Sequence, residues 1–117
     1  MLDMADLAWG PRRPVVDCAG VNPGERVLIV TDSNFDGRVV EVFAAVAAEA
    51  GAEVTMTGMA PVKIPGEQPP RTVAAAMKEA DVILELTTQF IGSSDARVQA
   101  CKNGARYLIL VEMSPYL

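Results

Sequence analysis

The chain has 117 residues, room for one hydrophobic core and not two, since single cores serve domains of about 100 to 150 residues. Half of the residues are apolar and 21% are charged, a globular balance, and the net charge of −5 argues against a phosphate-binding groove, so no nucleic-acid partner is expected. Histidine is absent, which removes the commonest general base, the usual zinc ligand and the physiological pH switch together.

In chain order, residues 11–20 read as one short helix, with Pro11 and Pro14 tolerable only in its first turn. The turn Asn22-Pro23-Gly24-Glu25 then introduces a buried strand over 26–31, RVLIVT, which ends in the polar loop Asp32-Ser33-Asn34-Phe35. Asp36 is placed to cap a helix whose apolar residues Val39, Val42, Phe43, Val46 and Ala47 recur at spacings of three and four, and Gly51 closes it. Residues 53–57 alternate as a second strand. Residues 58–70 form a loop that holds four of the eight prolines, either a contact arm for a partner or a solvated connection.

A third segment of the same kind follows. Pro70 stands at the start of a helix running through Thr72-Val73-Ala74-Ala75-Ala76-Met77-Lys78-Glu79, and Val82-Ile83-Leu84-Glu85-Leu86 is the third strand. Residues 87–92 are a loop, Ser93 or Ser94 caps a helix that reaches Asn103, and Gly104 breaks it. The fourth strand, 106–112, is almost continuously apolar. Apolar strands alternating with helices imply a parallel sheet covered on both faces, a small doubly wound, Rossmann-like α/β fold of about four strands. With the common order 2-1-3-4, a ligand crevice lies beyond the first and third strands, lined by 31–36 and 87–94.

Those loops lack both nucleotide fingerprints, G-x-G-x-x-G and G-x-x-x-x-G-K-[ST]. The candidate ligand-binding residues are therefore Asp32, Asp36, Glu85 and Thr87. Asp32 and Asp36 suit a polar or cationic ligand; otherwise Asp36 caps the helix and Asp32 sits in solvent. Asp32 and Glu85, at the ends of neighbouring strands, are a carboxylate pair that could hold a hard cation such as magnesium with waters or substrate completing the shell; otherwise Glu85 pairs with a nearby Arg or Lys. No catalytic residue and no metal ligand set is assigned.

Cys18 and Cys101, 83 positions apart, form neither a disulfide framework nor a metal pattern, and read as buried inert thiols in a reducing cytoplasm. The methionines, Met56, Met59 and Met77 among them, read as core filling. The first residues carry Asp3 and Asp6 and no secretory pattern, and no stretch approaches the ~20 apolar residues of a membrane helix, so no membrane partner is expected.

Two stretches together resemble a known family. Asn22-Pro23-Gly24-Glu25-Arg26-Val27-Leu28-Ile29-Val30-Thr31-Asp32, followed by a helix and Gly51-Ala52-Glu53-Val54, is similar to the opening of the thermophilic-type metallo-aminopeptidases of family M29 and of the 2,5-dihydroxypyridine 5,6-dioxygenases. Lys102-Asn103-Gly104-Ala105-Arg106-Tyr107-Leu108-Ile109-Leu110-Val111-Glu112 resembles their fourth strand, and Ser93 to Arg97 fits the helix before it. The resemblance implies an N-terminal scaffold and assembly domain, catalytically silent by itself. A divalent metal of the iron or zinc class would be held by histidines and carboxylates in a larger C-terminal part, and none of those ligands maps onto a position here.

The 106–111 strand places Leu108, Ile109, Leu110 and Val111 on both faces of an expected sheet edge. Self-association through that edge, or cover by a missing C-terminal domain, is the partner expected. The alternative function is a small stand-alone ligand-binding or regulatory domain that uses the loops after strands one and three.

Overall fold

The structure, a computed structural model, describes residues 13–110. A π-helical turn at Arg13–Cys18 precedes seven elements: β1 (Arg26–Asp32), α1 (Gly37–Glu49), β2 (Glu53–Met59), α2 (Arg71–Glu79), β3 (Val82–Leu86), α3 (Asp95–Lys102) and β4 (Arg106–Ile109). The four strands form one parallel sheet in the order β2-β1-β3-β4. This is the doubly wound, Rossmann-like α/β arrangement expected from the alternation of apolar runs and helices.

The two central strands explain why their sequences are apolar without a break. Alternate residues of a strand face opposite sides of the sheet, and both sides here are covered. Val27 and Ile29 of β1 and Val82, Leu84 and Leu86 of β3 join the α1 residues Val39, Val42, Phe43, Val46 and Ala47 in one core. Leu28, Val30 and Ile83 face the other way and pack with Val73 and Met77 of α2 and with Ala96 and Ala100 of α3. Phe43, Ile29, Met77 and Ile83 are fully buried, and each such side chain contributes about 1.5–3 kcal/mol relative to exposure.

Local signals set the helix ends. The Asp36 carboxylate accepts the Arg38 N–H at 2.9 Å and starts α1. Gly51, at φ +92°, ends it in the left-handed region, where its N–H donates to the Ala48 carbonyl at 2.9 Å. Pro70 caps α2, where its missing N–H costs nothing. Of the two serines offered as caps for α3 it is Ser94 that accepts the Arg97 N–H, at 3.4 Å, and Gly104 at φ +99° follows the helix.

Several expectations are corrected. The N-terminal segment winds as a π-turn over Arg13–Cys18, held by the Val21 N–H on the Val15 carbonyl at 3.3 Å; the start of the expected helix at 11–20 lies outside the described residues. β2 runs two residues beyond the expected end, because the Ser33 N–H donates to the Met59 carbonyl at 3.0 Å and keeps Gly58 and Met59 in the ladder. β4 ends at Ile109, and the rest of the 106–112 run, from Val111 on, lies outside the described residues. Met56 is 55% exposed, on an edge strand, whereas Met59 and Met77 are buried as expected. Neither thiol is fully buried: Cys18 is exposed and Cys101 half-buried.

Candidate functional site

After β1 the chain crosses through α1 to β2, and after β3 it crosses through α3 to β4, on the opposite side. The crossovers diverge between β1 and β3, which places the topological switch point at the carboxyl ends of these neighbours. The expected crevice loops, 31–36 and 87–94, therefore do meet there, and the meeting point is Asp32.

Asp32 is the last residue of β1 and is 4% exposed, which corrects the reading of a solvated carboxylate. Its Oδ1 accepts the Asn34 N–H at 3.0 Å, and its Oδ2 accepts both the Thr88 N–H at 2.7 Å and the Thr88 hydroxyl at 2.8 Å. Three donors on one carboxylate tie the loop after β3 to the end of β1. The loop at 60–70 is fastened to the same place. The Gly66 N–H donates to the Phe90 carbonyl at 2.7 Å, the Gln68 side-chain oxygen accepts the Ala96 N–H at 3.2 Å, and Val62 and Pro69 are buried, while Ile64 is exposed.

Glu85 lies in the middle of this region with no exposed surface. Its Oε2 accepts the Thr87 hydroxyl at 2.6 Å and the Ile91 N–H at 2.8 Å, and its Oε1 accepts the Tyr107 phenol at 2.6 Å. The expected Arg or Lys partner is replaced by two hydroxyls and an amide. A cation stands one residue further out: the Arg97 guanidinium carbon sits 5.4 Å from the centre of the Tyr107 ring, a cation–π distance. Burial, and then the negative charge of Glu85, push the Tyr107 phenol far above its ordinary range, so it remains a hydrogen-bond donor at any usable pH.

The four candidate residues thus fall into three separate arrangements. Thr87 and Glu85 belong together, Asp32 belongs with Thr88, and Asp36 caps α1 and pairs with Arg38 at 3.1 Å. Hydrogen bonds from Arg38, side chain first and backbone second, hold the Asp36 carboxyl below its usual range. Asp32 and Glu85 take their donors from different residues, Asn34 and Thr88 for the first and Thr87, Ile91 and Tyr107 for the second. Sequence reasoning missed Thr88, Tyr107 and Arg97. The usable signal was Glu85 itself, a lone acid in an apolar strand: such a residue must find donors when buried, and Tyr107 is the polar tip nearest in the next strand.

A metal of the iron or zinc class does not fit this donor set. The sequence has no histidine, and among the described residues no group of three or more cysteines, aspartates or glutamates could hold an ion. The carboxylates that reach the switch point already accept three hydrogen bonds each. Among the described residues no helix is long and apolar enough to cross a membrane.

The fold recurs in larger enzymes. The structure of 2,5-dihydroxypyridine dioxygenase from Pseudomonas putida KT2440 matches 99% of this chain with a TM-score of 0.78 at 19% sequence identity. Ureidoglycine-glyoxylate aminotransferase from Bacillus subtilis matches 88% of it with a TM-score of 0.54 at 14% identity. The chain spans 36% of the length of the first and 26% of the second. At these identities the likeness is one of fold. No protein-family model and no curated protein matches the sequence.

Proposed function

We propose that this chain is a non-catalytic N-terminal scaffold and assembly domain resembling that of the 2,5-dihydroxypyridine dioxygenases and thermophilic-type aminopeptidases. The observation that carries the reading is the extent of the fold match: essentially all of this chain corresponds to about a third of a dioxygenase. The chemistry supports it. The carboxylates at the switch point are consumed in holding loops, and an iron- or zinc-class metal would have to be bound by a remaining catalytic part, which would also cover the β4 edge. A second copy of the chain on the 106–111 edge is the other occupant that this reading admits. A cytoplasmic setting fits the two free thiols.

The alternative, a stand-alone ligand-binding domain working through the loops after β1 and β3, has less support because Asp32 and Thr88 close those loops on each other. Purified chain supplied with Fe(II) or Zn(II) is expected to take up no stoichiometric metal and to turn over neither 2,5-dihydroxypyridine nor peptides. NAD, ATP and FMN are expected to leave its melting temperature unchanged. One tightly bound transition metal per chain, or turnover, would overturn the scaffold reading; a shift of several degrees with a nucleotide would favour the alternative.

A further inference from the structure

The sheet has two edges, and they differ in what they leave unpaired. On β2 the Glu53 N–H donates to the Glu25 carbonyl at 2.8 Å, and the Met59 carbonyl accepts the Ser33 N–H at 3.0 Å. Residues 53, 55, 57 and 59 therefore turn their backbone groups toward β1. By the alternation of the ladder, Val54, Met56 and Gly58 turn theirs outward, where the described residues place no further strand. β4 is shorter: its Arg106 and Leu110 N–H groups bond inward, to the Asp81 and Glu85 carbonyls, which leaves Tyr107 and Ile109 facing out among the described residues.

An edge of unpaired N–H and C=O groups is a template for another strand unless proline, lysine or a bulge blunts it. β2 reads EVTMTGM, with no proline, no lysine and one charge at its first residue. Thr55, Met56 and Gly58 are exposed. We infer that β2 pairs antiparallel with β2 of a second copy, about a two-fold axis at Met56, to make one continuous eight-stranded sheet.

Charge and geometry select this occupant and register. A two-fold at Met56 sets Met56 against Met56 and Val54 against Gly58 of the second copy, so every outward-facing residue meets another outward-facing one. Such pairs exchange both of their hydrogen bonds, about six in all. Thr55 stands opposite Thr57, a favourable cross-strand pair, and each Glu53 lies opposite a Met59. Parallel pairing in register would instead stack Glu53 on Glu53. Pairing β2 with β4 of another copy would be head-to-tail and would leave an unused β2 and an unused β4 free to add further copies by the same contact, whereas the two-fold uses both β2 edges and closes on two copies. The edge belongs to the fold, so the pairing stands or falls apart from the scaffold reading.

Sedimentation equilibrium of the wild-type chain, Met56→Lys and Ile109→Lys tests it. The wild type is expected to be a dimer at tens of micromolar, Met56→Lys to raise the dissociation constant at least ~10-fold by facing like charges across the axis, and Ile109→Lys to leave it unchanged. A monomeric wild type, or a dimer that only Ile109→Lys disrupts, overturns the inference. Should Met56→Lys fail to fold, Met56→Cys combined with Cys18→Ser decides: a hydrogen-bonded antiparallel pair has Cα atoms ~5.5 Å apart, within disulfide range, so mild oxidation should link the copies through residue 56. Absence of that cross-link also overturns it.

Discussion

Tyr107 donates its phenol to Glu85 at 2.6 Å, although the ladder sets Tyr107 opposite Ile83 and Glu85 opposite Ile109. The bond is diagonal, between strands β3 and β4 on the face that α2 and α3 cover. It gives a fully buried carboxylate a donor that its own strand cannot supply, and it ties β4 to the sheet by a side chain as well as by the backbone.

Removing either end should therefore destabilise the fold by more than an ordinary hydrogen bond. Tyr107→Phe leaves Oε1 of Glu85 without its donor and is expected to cost about 1–3 kcal/mol in urea unfolding. Glu85→Ala strips acceptors from Thr87, Ile91 and Tyr107 together and opens a cavity, so its loss should be larger. The double variant should lose less than the two single losses added, because the two residues share one bond. Additive losses would show that the bond contributes nothing.

A second expectation concerns the switch point. With Asp32→Ala the Thr88 and Asn34 N–H groups lose their acceptor, and the loop at 87–94 loses its tie to β1. Amide exchange at Thr88 should accelerate by at least ~10-fold, while amides inside β1 and β3 keep their protection. Unchanged exchange at Thr88 would mean that the loop is held by its contacts with the 60–70 segment alone.

What the sequence disclosed follows from where information is local. Burial on both faces makes β1 and β3 largely apolar, so β3 is read to its ends and β1 to all but its last residue, Asp32, and the spacing of Val39, Val42, Phe43 and Val46 identifies α1. β2 is an edge strand with threonines at alternate positions, and its last two residues are kept in the ladder by Ser33, more than twenty positions upstream. The same limit applies at the site. Asp32 and Glu85 are visible as acids at strand ends, but beside the local donors Asn34, Thr87 and Ile91 each has a donor far along the chain, 56 and 22 residues away, at Thr88 and Tyr107. With Thr88 out of view, the sequence leaves Asp32 only to a ligand or to solvent.

The acid side of the stability profile should bear the mark of Glu25. Its oxygens accept from both terminal nitrogens of Arg106, at 2.6 and 3.0 Å, while Arg106 also reaches the Ala19 and Gly20 carbonyls and so fastens the N-terminal turn to the sheet. Hydrogen bonds from Arg106 foremost, then from the Asn22 backbone, hold the Glu25 carboxyl below its ordinary value of 4.5. The unfolded chain then binds more protons than the folded one as this group titrates. Its contribution is present above the ordinary value and is lost as the pH falls through the lower folded value. Asp36 and Asp81 are lowered by Arg38 and Arg26 and act in the same direction. Urea midpoints should fall between about pH 5 and pH 3, and the slope should be shallower in Glu25→Gln. An identical slope in that variant would remove Glu25 from the account.

The two glycines that end α1 and α3 separate conformational strain from crowding. Gly51 and Gly104 have nearly the same backbone, φ +92° and φ +99°, so an alanine at either suffers the left-handed penalty of about 1 kcal/mol. Their surroundings differ. A Cβ at Gly104 meets nothing within 4 Å, whereas one at Gly51 comes within 3.0 Å of the Pro23 Cβ and 3.1 Å of its Cα. Pro23 cannot easily retreat, because the Gly24 N–H donates to the Gly51 carbonyl at 2.9 Å and holds the two turns together. Gly104→Ala should cost about 1 kcal/mol, Gly51→Ala about 2–3 kcal/mol, and Gly104→Asn should recover part of the first loss, since asparagine tolerates the left-handed region. Thermal unfolding checks the order, at roughly 4 °C per kcal/mol for a domain of this size. Equal losses at the two sites would show that the 22–25 turn yields freely and that the contact with Pro23 does not fix the end of α1.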